Sequence, residues 1–208
     1  MIKVALGMAY YRTMDPRTFA SLWAVARRYR GHIDLLEEGS CYVHWNREEI
    51  VEKALSKDYS HLWFVDTDVI FPPDTLDRLL AHNVDIVGGY YPVRQKDQSY
   101  STLKTNIDGV ITPLLPPLPD KLFCSVDGNE LVTIPTGCML IRLSVLEKMK
   151  PPYFRCDRPV GEDVFFCAWL WSAGVKIWCD PTIDIGHIGD AVYRREKVER
   201  AQFKFIEE

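Results

Sequence analysis

The sequence predicts an α/β fold, a doubly wound and mostly parallel sheet with helices on both faces. Short apolar runs alternate with helical patterns from Ile2 to Gly89, giving the order β-α-β-α-β-α-β. Several of those runs are continuously apolar, as strands covered on both faces must be. One of them, Leu62–Val65, runs directly into Asp66 and Asp68, so carboxylates stand at the carboxyl end of a strand, where open α/β sheets bind ligands.

Ile2–Met8 (IKVALGM) reads as the first, central strand. Asp15-Pro16 is a helix start with proline in the first turn, and Phe19, Leu22, Trp23, Ala26 and Tyr29 recur at helical spacing until Gly31. His32–Leu36 is the second strand. Asn46–Ser56 is a second helix with Ile50, Val51, Ala54 and Leu55 as its apolar stripe. The strand His61–Val65 follows. Pro72-Pro73-Asp74 ends that region and starts a third helix carrying Leu76, Leu79 and Leu80, and Asp85–Gly89 is the next strand.

After Tyr90 the rhythm changes. Residues 94–130 read as irregular, with the proline-rich run Pro113–Pro119, and a loop of that length is functional or mobile. Thr133–Leu143 is a strand interrupted by Gly137, a short helix starts at Ser144, and Pro151-Pro152 ends it. Gly161-Glu162-Asp163 opens the apolar helix Val164–Ser172, and Val175–Cys179 is the last strand. Asp184–Gly189 leads to a charged terminal helix ending at Glu208. No repeat or linker divides the chain.

At 208 residues, 47% hydrophobic and 26% charged, the chain is of ordinary globular composition and fits one α/β domain. A net charge of −4 gives no reason to expect nucleic acid or an anionic membrane as partner. No apolar run approaches the roughly 20 residues of a membrane span. Met1–Val4 leads into a strand, not a secretory signal. Cys41, Cys124, Cys138, Cys156, Cys167 and Cys179 form no CxxC pair, so reduced thiols of a cytoplasmic protein are expected, and no zinc site.

Four features carry possible chemistry. Side chains alternate along an extended segment, so Asp66 and Asp68 can share one side and offer hard oxygen ligands to a divalent cation. The bland alternative is a pair of solvated turn aspartates. The loop after the first strand, Ala9-Tyr10-Tyr11-Arg12, offers aromatic rings to a base and a guanidinium to phosphates, although a Tyr-Tyr pair alone usually just packs. Glu162 and Asp163 sit at a helix N-terminus, where acids commonly favour the helix dipole; a carboxylate there can also take a proton from an acceptor hydroxyl. His187, between Gly186 and Gly189, matters only if it lies beside the aspartates, where an imidazole nitrogen and carboxylates suit Mn²⁺ or Mg²⁺.

Taken in order, Phe64-Val65-Asp66-Thr67-Asp68-Val69-Ile70-Phe71-Pro72-Pro73-Asp74 and Asp85-Ile86-Val87-Gly88-Gly89-Tyr90-Tyr91 resemble the GT-A glycosyltransferases, particularly small family 2-like members. Thr136–Arg142 looks like their acceptor-side strand, Gly161–Cys167 like their ED motif and His187-Ile188-Gly189 like their late metal-binding histidine. The resemblance spans about Asn46 to Gly189. It implies a single Rossmann-like GT-A domain, with residues 1–92 as the nucleotide-binding half and 93–208 as the acceptor-side half. It also implies a nucleotide-sugar donor, with UDP ahead of GDP, Mn²⁺ or Mg²⁺ as cofactor, and a glycan or other hydroxyl acceptor.

Residue by residue, the resemblance gives Asp66 to the ribose or the metal, with Thr67 beside it, and Asp68 and His187 to the metal. Asp163 becomes the general base, with Glu162 near the acceptor. Ala9, Tyr10 and Arg12 line the nucleotide pocket, and Arg47 and Arg94 reach toward the donor. The segment before Asp66 is shorter than in larger relatives, which leaves the base unassigned, and the residues do not choose between inversion and retention.

Two rival readings remain. FVDTDVI also fits the nucleophile motif of haloacid dehalogenase-like phosphatases, but that motif follows a first strand and here it follows a later one. A nucleotide- or glycan-binding module of the same fold without turnover is the other. A sugar-nucleotide pyrophosphorylase would need a glycine-rich first loop, which Gly7–Arg12 lacks.

Overall fold

A computed structural model describes residues 2–93, 103–105, 111–115, 118–124, 131–156, 160–189, 192–195 and 203–206. The chain begins with β1 (Lys3–Tyr10), α1 (Pro16–Arg28), β2 (His32–Gly39), α2 (Val43–Leu55), β3 (His61–Val65), β4 (Val69–Ile70), α3 (Thr75–Ala81) and β5 (Ile86–Gly89). Three short strands, β6 (Leu103–Thr105), β7 (Ile111–Pro113) and β8 (Leu131–Thr133), come next. Then follow β9 (Cys138–Arg142), α4 (Leu143–Leu146), α5 (Glu162–Ser172), β10 (Ile177–Asp180), β11 (Gly186–Ile188), β12 (Val192–Arg195) and β13 (Phe203–Ile206).

The main sheet has six strands in the order β10-β5-β9-β3-β1-β2. β1 runs parallel to β2 and β3, and β10 parallel to β5, whereas β9 lies antiparallel between β3 and β5. This is the expected mostly parallel, doubly wound sheet. β1 is next to the edge strand β2 and not central, because β9 and β10 extend the sheet on its far side.

Alternation along the strands feeds two cores. Leu62 and Phe64 join Ile50, Val51 and Ala54 of α2 and Phe166 and Leu170 of α5 on one face. Trp63 and Val65 join Val25 of α1 and Leu76 and Leu79 of α3 on the other. Helices therefore cover both faces, which is what continuously apolar strands require. Gly7 lets α2 come close: a β-carbon there would fall 2.9 Å from Ile50 Cγ2 and 3.0 Å from Phe64 Cδ1.

Three further sequence expectations change. The stretch read as irregular contains β6 and β7, and β6 pairs with β7 and with the following β8 in a small antiparallel sheet. The strand expected over Thr133–Leu143 is two strands, β8 and β9, parted by a turn at Gly137. In place of a terminal helix, β12 and β13 extend a second antiparallel sheet of order β13-β12-β11-β4. Val192-Tyr193 and Phe203-Lys204-Phe205-Ile206 carry strand-forming residues, and β11 offers them a free edge. All six cysteines are free, with Cys138, Cys167 and Cys179 buried. Among the described residues, no helix is long and apolar enough to cross a membrane.

Candidate active site

β3 ends at Val65, and the backbone then turns through Asp66-Thr67-Asp68 before β4. The two aspartates are therefore not alternate residues of one strand, and each finds its own partner. Asp66 Oδ1 accepts a hydrogen bond of 2.8 Å from Arg47 Nη2. Arg47 Nη1 donates to Glu162 Oε1, so one guanidinium joins the end of β3 to the start of α5. Arg47 is 3% exposed, and its Nε has no hydrogen-bond partner among the described residues. Burial opposes the positive charge, but Asp66, Glu162 and Asp163 outweigh it and hold the guanidinium above its ordinary pKa.

Asp68 meets His187 instead. β4 and β11 pair with Val69 opposite His187, and Ile188 N donates to Asp68 O at 2.7 Å. That register sets His187 Nε2 at 3.5 Å from Asp68 Oδ1. His187 Nδ1 lies 3.0 Å from the Pro92 carbonyl, which can only accept, so Nδ1 carries a proton. This is how metal-binding imidazoles are commonly oriented. Two ligands about 2.1 Å from one cation stand about 3–4 Å apart, so the Asp68–His187 spacing fits a shared ion. Among the described residues, no three side chains of His, Cys, Asp and Glu gather to hold a metal on their own. Asp66, Asp68 and His187 thus do not form a single ligand cluster, because Arg47 holds Asp66.

Asp163 sits in the first turn of α5, where its Oδ1 accepts from Val164 N at 2.8 Å. Burial, then repulsion from Glu162, pushes its carboxyl up to about 6, against the pull of Arg47 and of the Val164 amide. Gly137 lies beneath the site. A β-carbon there would fall 2.7 Å from Asp66 Oδ2 and closer still to the Tyr91 hydroxyl, so the turn before β9 needs glycine for close approach. Burial, then the Asp66 charge, holds the Tyr91 hydroxyl well above its ordinary pKa.

A cleft of about 590 Å³ opens at the carboxyl end of the sheet. Ala9, Tyr10, Arg12, Arg47, Asp66, Thr67 and Asp68 all line it, as do Ile188 and Gly189, whereas His187 does not. Glu162 and Asp163 do not line it; they stand behind Arg47. Arg94 lies outside the described residues.

Sequence reading missed several walls of this cleft. Asn46, 4% exposed, accepts from Ser40 Oγ at 2.6 Å and donates to the carbonyls of Tyr10 and Ser40 at 3.3 and 3.2 Å. It ties the β1–α1 and β2–α2 loops together. Asp15 caps α1 through Arg17 N at 2.8 Å, and its own amide donates to Thr67 O at 2.9 Å. An asparagine opening a helical pattern and an aspartate before a proline were the available signals.

No known family model matches the sequence, and no curated protein matches it. Solved structures do. A197 from STIV aligns with a TM-score of 0.64 over 100% of this chain and 95% of that chain, at 18% identity. GalNAc-T7, crystallised with UDP, GalNAc and Mn²⁺, aligns with a TM-score of 0.54 over 90% of this chain and 44% of that chain, at 13% identity. At such identities the likeness is one of fold. The mixed, mostly parallel sheet flanked by helices is a GT-A-like, Rossmann-like fold.

Proposed function

We propose that this protein is a divalent-metal-dependent glycosyltransferase that moves a sugar from a nucleoside diphosphate sugar, UDP-linked in the first instance, to an acceptor hydroxyl. The observation that carries the reading is the convergence around Arg47. Asp66 at the end of β3 and the Glu162–Asp163 end of α5 meet there, with the Asp68–His187 pair beside the same cleft. Residues 1–92 would supply most of the nucleotide side and residues 93–208 the acceptor side.

Asp68 and His187 would hold Mn²⁺ or Mg²⁺, the remaining positions being left to donor oxygens and water. The chemistry such a cation supplies when bound is neutralisation of the charge on the departing nucleoside diphosphate. Asp66, steadied by Arg47, faces the cleft to accept from donor hydroxyls. Tyr10 and Arg12 line the mouth where a base and phosphates would sit. Asp163, with its carboxyl near 6, is ionised at neutral pH yet basic enough to take the proton of an acceptor hydroxyl if the reaction inverts. In a retaining reaction it would position the acceptor. Because Arg47 lines the cleft and Glu162 and Asp163 do not, the guanidinium would have to move aside for an acceptor hydroxyl to reach Asp163.

Calorimetric titration with UDP and with GDP, each with and without Mn²⁺, tests the reading on the parent and on Asp68→Ala. We expect metal-dependent binding of one nucleotide that the variant loses. A folded parent that binds neither nucleotide would overturn it.

A further inference from the structure

The outward face of α1 is unlike the rest of this acidic chain. Its sequence, PRTFASLWAVARR, contains no carboxylate. Phe19 and Trp23, one turn apart, are 55% and 58% exposed, and their rings stack at 6.4 Å and 16°. Arg27 follows Trp23 by another turn, and Arg30 stands just past the helix end. Arg17 is paired with Asp15 and Arg28 with Asp77. Arg27 and Arg30 have no ion-pair partner among the described residues. At the other end of the helix, Tyr11 is 65% exposed with the Arg12 guanidinium 5.2 Å above its ring.

A face made only for water would not carry two large rings in contact, and a helix needing only dipole compensation would not need them either. Aromatic rings flanked by unpaired guanidinium groups suit the headgroup region of a bilayer, where rings enter the interface and cations meet lipid phosphates. Net charge hides this feature: the whole chain stands at −4 while this helix carries Arg17, Arg27 and Arg28 and no acid. The face also adjoins the cleft, because Tyr11, Arg12, Thr13 and Asp15, which lead into α1, line its mouth.

We propose that the outward face of α1, built on Phe19, Trp23, Arg27 and Arg30, docks the protein on an anionic lipid surface. The protein lies on the bilayer and does not cross it. Charge complementarity selects lipid over a second copy of this chain, whose net charge is negative but whose own α1 face is basic and would repel.

Vesicle co-sedimentation tests this with vesicles of phosphatidylcholine alone and vesicles one-third phosphatidylglycerol, at low and high salt, alongside light-scattering mass. The proteins are the parent, Phe19→Ser/Trp23→Ser and Arg27→Gln/Arg30→Gln. These positions lie at the surface, and a circular dichroism melt for each variant confirms the fold. The parent should bind the anionic vesicles and release at high salt. The aromatic variant should bind at least about tenfold more weakly. The arginine variant should bind about 25-fold more weakly, at about fivefold per cation. Absence of binding to anionic vesicles, or binding that ignores both variants, overturns the proposal. So does a parent dimer that Phe19→Ser/Trp23→Ser converts to monomer, which would assign the face to a second copy. Vesicle partition needs no nucleotide, so its failure leaves the proposed chemistry standing.

Discussion

Arg47→Met should destabilise the protein strongly at neutral pH and much less in acid. The guanidinium is 4% exposed in its side chain and stands between Asp66, 31% exposed, and Glu162, 18% exposed. Removing one member of such a set leaves charge without a partner, a loss of about 3–5 kcal/mol for fully buried groups. The partial exposure of Asp66 lets water screen one contact, so about 3 kcal/mol is the expected cost. For a chain of this size that lowers Tm by about 6–12 °C.

The pH dependence follows from Asp163. Its carboxyl is already raised to about 6, and Arg47 is one of the two groups holding it down. Without Arg47 the folded-state pKa rises further above the unfolded value of about 3.9. Between those values the folded variant binds more protons than the unfolded chain, so its stability falls as pH rises. The deficit against the parent should therefore shrink when denaturation is repeated near pH 5, and Arg47→Met/Glu162→Gln should recover part of it at pH 7. A deficit equal at both pH values, or below about 0.5 kcal/mol, would show that Arg47 is not the counter-charge of this site.

Asp163→Asn should leave metal-dependent nucleotide binding unchanged and lower any inverting transfer by about 10²–10⁴-fold. In the parent, transfer rate should rise from pH 5 to pH 7, because the base works only once its carboxyl near 6 has lost its proton; a flat profile would remove Asp163 from that role. At the carboxyl end of β10, Asp180 is 2% exposed and accepts from Thr182 N at 2.8 Å, with His82 Nε2 at 2.9 Å. Burial works against its charge, but Thr182, His82 and Arg78 hold its carboxyl below the ordinary range. That stability is present above the unfolded carboxylate pKa and lost as pH falls through the folded one. Asp180→Asn should cost about 2 kcal/mol at pH 7 in urea denaturation and close to nothing in strong acid.

What the sequence made legible was whatever repeats along the chain. Leu62–Val65 announces a buried strand because burial on both faces leaves an unbroken apolar run. Ile50, Val51 and Ala54 announce the helix that covers it because burial of one face leaves a helical period. Residue types at the site were legible too: carboxylates after β3, carboxylates at the start of α5 and a histidine between glycines. Strand direction was not, since Cys138–Arg142 looks the same whether it runs with β3 or against it. Nor was β12 or β13, whose partners are set by hydrogen bonds to a strand that itself depends on β4.

Arg47 shows why the site was harder to read than the fold. By residue type and spacing alone an arginine in a helical pattern reads as surface, and only the family resemblance pointed Arg47 toward the donor. Its burial is explained only by Asp66 and Glu162, which approach it from different elements once the sheet has closed. The same holds for Asp68, whose alignment with His187 depends on one register, Val69 opposite His187. A slip of a single residue in that pairing would turn the imidazole to the other face of the strand. The chemistry proposed for this protein therefore rests less on the motifs than on the few long-range pairings that bring them together, and substitutions that disturb β4 or β11 should affect metal binding even where they touch neither ligand.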